Sequence, residues 1–194
     1  MKTLYTLFII LFFLLISSQT IFAQNASTSA SPQSTQRVPS ATSEARFINV
    51  SYELPFPGIL PDNPLYFLKA LRDNLVNFFI TDPVKKSEYD LLMADKRLAS
   101  ANALVGKKNY QLAITTLSKS GNYFDQAIQL AAQAKTQGKD VSSVLGNLWT
   151  SSQKHQQVIY QMSQKTKGDI RYNLELLQVR AKNFQDTVDV VRSQ

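Results

Sequence analysis

The sequence predicts an all-α protein, an antiparallel helical bundle of four long helices preceded by a shorter apolar helix. Three observations lead to this prediction. Four consecutive segments carry apolar residues at alternating spacings of three and four, which places them on one narrow face of a helix. Capping residues and glycines separate these segments. The connections are short, so consecutive helices are expected to run antiparallel.

The first 23 residues have the layout of a secretory signal peptide. Lys2 precedes an apolar run from Leu4 to Ile16, which is too short to span a bilayer comfortably, and Ala23 is a small residue at a suitable cleavage position. Cleavage after Ala23 is favoured over retention, in which case residues 4–23 would form a membrane tether. We therefore expect an exported, extracytoplasmic protein, either secreted or held in the cell envelope.

Two segments of different texture follow the signal. Residues 24–51 are rich in Ser, Thr, Ala, Gln and Pro and are predicted to form a disordered linker. Residues 52–63, here called the strap, combine prolines with Leu54, Phe56, Ile59 and Leu60. Proline forbids a helix there, so the strap is expected to lie extended along the bundle. A docking peptide for another protein is the alternative.

The bundle itself is assigned to residues 64–194, with helices expected over 64–80, 83–105, 109–137, 141–166 and 169–192. Asn63 and Asp82 each precede a proline and are expected to cap a helix. Gly121 lies inside the third predicted helix, so a kink or break is left open there. The expected core seams are Val84, Ser87, Leu91, Ala94, Leu98, Ala101 and Val105; Ala113, Leu117, Ser120, Phe124, Ala127, Ala131 and Ala134; Val141, Leu145, Leu148, Ser152, His155, Ile159 and Met162; and Ile170, Leu174, Leu177, Ala181, Phe184, Val188 and Val191.

The first helix differs from the others because its apolar residues cover more than one face. It is therefore either the most enclosed element or an apolar surface for a partner.

Two short motifs resemble a bacterial extracytoplasmic domain-of-unknown-function family, number 5667, whose members have a PxxPLYxLK start and a downstream A-x-x-R-L-x-x-A stretch. The matching residues are Pro61, Asn63, Pro64, Leu65, Tyr66, Leu68 and Lys69, followed by Ala94, Arg97, Leu98 and Ala101. The resemblance implies a helical domain outside the membrane and supplies no catalytic residues. A structural role is favoured for the motif, with Asn63 as a cap and Leu65 and Leu68 facing inward.

The sequence offers no pattern typical of an enzyme, a metal site or a cofactor site. It has no cysteine and no Gly-rich phosphate loop. His155 is the single histidine and lies in a seam, where a hydrogen-bonded core residue is favoured over a metal ligand. The carboxylates Glu88, Asp90 and Asp95 are expected at the surface because Lys85 and Lys86 precede two of them at helical spacing.

Six basic residues suggest a second kind of surface, here called the basic ridge. Three doublets recur every 11 residues, about three helical turns, so they would align on one face about 16 Å apart. They are Lys85 and Lys86, Lys96 and Arg97, and Lys107 and Lys108. With a net charge of +7, the ridge is a candidate site for an anionic polymer or lipid. An ordinary solvated face is the alternative reading.

We therefore expect a non-enzymatic, exported helical-bundle module that binds a protein partner or acts as an envelope scaffold. Binding of an anionic envelope polymer or lipid through the basic ridge is the alternative function. Nucleic acid is not a favoured partner. Self-association is left open because the alanine-rich seam of the third predicted helix permits close approach.

Overall fold

The computed structural model describes residues 50–194, and these form five α-helices and no strand. The helices are α1 (Tyr66–Phe79), α2 (Pro83–Gly106), α3 (Tyr110–Thr136), α4 (Ser142–Gln164) and α5 (Gly168–Ser193). The all-α helical bundle predicted from the sequence is thus confirmed, and its helix ends differ from the predicted ends by at most two residues. The predicted signal peptide and nearly all of the predicted linker lie outside the described residues. In the described part of the chain, no helix is both long and apolar enough to cross a membrane.

The four long helices form two hairpins that pack side by side. α2 packs against α3 and α4, and α5 also packs against α3 and α4. Consecutive helices are antiparallel: Ser87, near the start of α2, donates to the carbonyl oxygen of Ala127 in the second half of α3. The lateral pairs are parallel. Arg180 of α5 reaches Ser118 of α3.

The predicted seams form the core. Every seam residue of α3 and α4 is buried, as are all but Val84 on α2 and all but Ile170 and Leu177 on α5. Those three are half-buried. Phe124 of α3 occupies the centre, stacked on Phe184 at 4.5 Å between ring centroids. The 3-4 periodicity therefore identified the inward faces of the long helices.

The helix starts show which capping predictions were correct. The Asp82 carboxylate accepts hydrogen bonds from the backbone N–H groups of Val84 and Lys85, as expected for an N-cap. It also pairs with Lys139, and this hydrogen bond is the main reason that the pKa of Asp82 lies below its usual value. The prediction that Asn63 caps the first helix was wrong: Asn63 Oδ1 accepts from Leu65 N–H at 2.8 Å within a turn, and α1 begins only at Tyr66.

α3 runs through Gly121 without a break. The glycine makes room for Arg180 of α5: a Cβ atom at position 121 would lie 2.8 Å from the guanidinium carbon. Arg180 uses this space to bind Asn122 at 2.8 Å and Asp125 at 2.5 Å. Gly121 therefore serves the α3–α5 contact.

The strap contacts the bundle at several points. The Tyr52 hydroxyl donates to Asp95 of α2, and Leu54 packs against the core. Near the other end, Asp62 forms an ion pair with Lys107 at 2.8 Å. These contacts hold the strap along the second half of α2, from Asp95 to Lys107.

Candidate interaction surface

α1 exposes its apolar residues and turns polar ones inward. Phe67, Leu71, Leu75 and Phe78 follow one another at spacings of four, four and three, so they share one face. This is the outer face of α1, and its side chains are highly exposed, with Leu71 at 64% and Phe78 at 78%. The interpretation of this helix as the most enclosed element is therefore wrong, and the interpretation as an exposed apolar surface remains.

The inner face of α1 explains this orientation. It is formed by Tyr66, Ala70, Asp73 and Asn77, which again follow helical spacing. Asp73 is the one buried residue of the helix. Its carbonyl oxygen accepts a hydrogen bond from the Tyr89 hydroxyl of α2 at 2.9 Å. α1 is therefore attached by polar contacts, and its apolar side chains remain at the surface.

The family motif is divided between core and surface. Ala94, Leu98 and Ala101 are fully buried on α2, consistent with a structural role. Leu65 and Leu68 are 53% and 52% exposed, so the expectation that they face inward was wrong. The inner face of α1 begins with Tyr66 and continues at helical spacing, and neither Leu65 nor Leu68 lies on it. Both are therefore outside the interface with the bundle. The Lys69 ammonium donates to the Pro57 carbonyl oxygen at 2.6 Å, and Pro61 is half-buried while Pro64 is exposed.

The residues of the basic ridge have different environments. Lys85, Lys107 and Lys108 are exposed, and Lys86 and Lys96 are half-buried. Lys107 is neutralised by Asp62. Arg97 turns toward α3, where its guanidinium carbon lies 4.1 Å from the centre of the Tyr123 ring. The six residues therefore do not present six free cations on one face.

A buried polar cluster joins the strap, α2 and α4. It is centred on Asp95, whose Oδ1 accepts from Ser151 Oγ at 2.6 Å and contacts His155 Nε2 at 2.9 Å. Its Oδ2 accepts from the Tyr52 hydroxyl at 2.5 Å. Burial, with a smaller effect from Asp95, raises the pKa of Tyr52 well above its usual range. The prediction that His155 is hydrogen-bonded within the bundle is confirmed, but the residue was expected to be half-buried and is fully buried.

The Asp95 cluster does not have the geometry of a nucleophilic site. A serine nucleophile needs a hydrogen bond to its base, with the carboxylate orienting that base from the far side. Ser151 instead donates to the carboxylate of Asp95, and Asp95 and His155 are 2% and 1% exposed. The described residues also contain no group of three or more His, Cys, Asp or Glu side chains placed to hold a metal ion.

Asp90 and Asp95 were expected at the surface, and this expectation was wrong. Glu88 is exposed, but Asp90 is buried like Asp95. Burial raises the pKa of Asp90 to about 6, against the opposing effect of Lys86 and Arg97. The sequence did contain one signal for the Asp95 cluster: Ser151 and His155 are four residues apart, so both polar groups lie on one side of α4.

Comparison with known protein families gives a match. The sequence model described as Domain of unknown function (DUF5667) matches residues 58–169, which is more than half of the chain. The matched range begins in the strap, contains α1 to α4 and ends at the start of α5. Neither the curated proteins nor the solved structures gave a match.

Proposed function

The chain belongs to the family described as Domain of unknown function (DUF5667), and we propose that it is an exported, non-enzymatic module that docks a partner protein through α1. The exposed outer face of α1 is the observation that carries this proposal. Large apolar side chains clustered at a surface are typical of interaction sites. Anchors at helical spacing are typical of a helix that binds in the groove of another protein.

A protein groove fits this face better than a membrane surface. A helix that lies in a membrane interface usually carries many cations on its polar side. α1 carries two, and both are engaged: Lys69 binds the Pro57 carbonyl oxygen and Arg72 pairs with Asp73 at 2.7 Å. Since the whole chain has a net charge of +7, the expected partner presents an apolar groove with an acidic rim.

Site-specific crosslinking in intact cells tests the proposal. A photoreactive amino acid at Leu71 is expected to give a discrete protein adduct. The matched control is Val179, an exposed apolar residue of α5, which should give none. Phe67→Ser and Phe78→Ser together should abolish the Leu71 adduct. Both side chains are exposed, so each change should alter the free energy of unfolding by only about 0.5 kcal/mol, measured by urea denaturation.

Three outcomes would contradict docking through α1. They are adducts of lipid alone at position 71, equal adducts at positions 71 and 179, and an adduct that survives the double serine substitution in a folded protein.

A second candidate, binding of an anionic polymer or lipid, is favoured by three cations around one cavity. Lys69, Arg72 and Lys96 line a cavity of about 410 Å³ beside Phe56 and Ile59, and no carboxylate lines it. Lys69 and Arg72 keep their contacts with Pro57 and Asp73 there, so Lys96 is the cation on which this candidate mainly depends. Burial is the main reason that the pKa of Lys69 is lowered; the charge of Asp73 opposes this, and the smaller effects of Arg97, Lys96 and Arg72 add to it. An anion bound there would relieve this repulsion.

Salt and charge reversal distinguish the two candidates. Binding to phosphatidylglycerol vesicles or an anionic polymer should weaken steeply between low and physiological ionic strength, whereas docking of apolar faces should not. Lys96→Glu should reduce vesicle binding, and Lys182→Glu, at an exposed position of α5, should have little effect. Binding to vesicles that ignores both salt and Lys96→Glu would remove the second candidate.

A further inference from the structure

A second site lies on the opposite side of α1 from the proposed docking face. The inner face of α1 borders a cavity of about 330 Å³ against α2 and α3, here called the cleft. Asn77 of α1, Lys86 and Asp90 of α2, and Gln126 and Gln129 of α3 contribute to its walls. The outer face and the cleft use different residues, so a function of one does not depend on a function of the other.

Two buried oxygen atoms in the walls of the cleft have no hydrogen-bond partner. They are Asp90 Oδ1 and Asn77 Oδ1. The whole Asp90 residue is only 1% exposed. Buried acceptors in folded proteins are nearly always paired, and an unpaired one calls for an explanation. Two unpaired acceptors in one cavity indicate a ligand that donates hydrogen bonds to both.

The charges around the cleft favour a neutral ligand. A cationic ligand would be repelled by Lys86, and an anionic one would be repelled by the Asp90 carboxylate. The side-chain amides of Gln126 and Gln129 can both donate and accept. A ligand that suits these walls must also do both, and the hydroxyl group is the simple neutral group that does.

The cleft continues into a second cavity of about 520 Å³, which shares Asn77 and Gln126 with the first. Tyr66 and Tyr123 contribute aromatic rings there, and Arg97 contributes a buried Nε with no partner. Lys119 is a second cation in these walls, and a hydroxyl group can accept a hydrogen bond from either cation. Each volume lies within the range of about 300–1,000 Å³ found for small-molecule sites. Polar groups beside aromatic rings suit a ligand with both hydroxyl groups and apolar C–H faces.

We propose that the cleft and the adjoining cavity form a binding site for a neutral oligosaccharide, whose hydroxyl groups donate to Asp90 and Asn77. A peptide also donates and accepts, but its side chains need apolar pockets, and Leu130 is the one aliphatic side chain in the walls of the cleft. A sugar ring places its hydroxyl groups around its edge, where amide and carboxylate side chains can reach them.

NMR titration of the full chain labelled with nitrogen-15 tests the site directly, because the side-chain amides of Asn77, Gln126 and Gln129 give their own signals. The probes are cellotetraose, maltotetraose and the β-1,4-linked tetramer of N-acetylglucosamine, each at up to about 10 mM, which detects even millimolar binding. At least one probe should shift these three signals. The amides of Gln156 and Gln185, which bond each other between α4 and α5, should not move.

Matched variants identify the residues responsible. Asp90→Asn and Asn77→Ala should each weaken binding of the active probe about tenfold, the loss typical of one hydrogen bond of about 1.4 kcal/mol. Asp186→Asn and Asn147→Ala make the same changes at exposed positions and should leave the affinity unchanged.

Several results would overturn the proposal. One is the absence of shifts with all three tetrasaccharides in the folded wild-type chain. Others are undiminished binding by both cleft variants, and stronger shifts of the same amides by a Gly-Ser peptide, spermidine or inorganic phosphate than by any saccharide.

Discussion

Asp90 and Asp95 are five residues apart on α2, yet their environments are opposite. Asp95 has partners on both oxygens, whereas Asp90 Oδ1 has none. Each lies next to a seam residue: Asp90 precedes Leu91 and Asp95 follows Ala94. They therefore flank the seam on opposite sides, since each residue turns the helix by about 100°. The sequence could not show that both carboxylates are buried, because the width of the buried face of α2 depends on which helices pack against it.

Asp90 is expected to make stability depend on pH. Its pKa of about 6 in the folded chain lies above the unfolded value of about 3.9, so folding favours the protonated acid. Stability contributed by this group is present at low pH and is lost as the pH rises through about 6. Asp90→Asn should match the wild type near pH 4 and exceed it by roughly 2–3 kcal/mol near pH 8, which corresponds to a pKa difference of about two units. Urea denaturation at both pH values measures this difference.

Asp186→Asn is the control for this prediction, because Asp186 is exposed. Its effect should be small and equal at both pH values. A pH-independent difference between Asp90→Asn and the wild type would show that burial does not control the protonation of Asp90.

At the scale of elements, α1 shows the limit of a hydrophobic pattern. Each long helix has one apolar seam, so the hydrophobic pattern leaves only one face that can be buried. α1 has apolar residues on a wide arc but a polar stripe through Asp73 and Asn77, and the bundle contacts the polar stripe. A helical wheel cannot decide between the two faces. The structure shows that the inner face lies against α2, where the Tyr89 hydroxyl donates to the main-chain carbonyl oxygen of Asp73.

Gly121 of α3 gives a prediction about the contact between α3 and α5. Alanine in a helix is favoured over glycine by about 1 kcal/mol, but a Cβ at position 121 would lie 2.8 Å from the Arg180 guanidinium. Gly121→Ala alone should therefore bring no gain in the free energy of unfolding. In an Arg180→Ala background the same change should stabilise the protein by about 1 kcal/mol. Urea denaturation of the wild type, the two single variants and the double variant measures the coupling energy between positions 121 and 180.

Gly146 of α4 is the matched control, because a Cβ built there has no atom within 4 Å apart from its chain neighbours and the nearby backbone of its own helix. Gly146→Ala should stabilise the protein by up to about 1 kcal/mol in either background. A full gain from Gly121→Ala in the presence of Arg180 would contradict the role assigned to the glycine.

At the scale of the whole molecule, the strap is held by the Asp95 cluster. The cluster joins three elements: Tyr52 belongs to the strap, Asp95 belongs to α2, and Ser151 and His155 belong to α4. Since Asp95 is buried, loss of its carboxylate leaves several donors without an acceptor.

Substitutions in the Asp95 cluster should therefore be strongly coupled. Tyr52→Phe removes a hydrogen bond to a carboxylate and should cost about 1.5–3 kcal/mol. Asp95→Ala should cost about 3–5 kcal/mol, as expected when one partner of a buried charged network is removed. In the Asp95→Ala background, Tyr52→Phe should cost almost nothing. Thermal or urea denaturation of the wild type, the two single variants and the double variant measures this.

Tyr172→Phe serves as the control, because Tyr172 is 62% exposed and its removal should cost no more than about 0.5 kcal/mol. Additive effects of Tyr52→Phe and Asp95→Ala would mean that the Tyr52 hydroxyl does not stabilise the strap through Asp95.

The sequence by itself determined the number of helices, their limits and the inward faces of α2 to α5, because helical periodicity, capping and glycine punctuation are local properties of the chain. It also indicated the family through two short motifs. Only the tertiary structure decided that α2 lies beside α4 and α3 beside α5, that α1 turns its apolar side outward, and that Asp90 and Asp95 are buried. These features depend on contacts between residues far apart in the chain, and no local spacing specifies which side chains will meet.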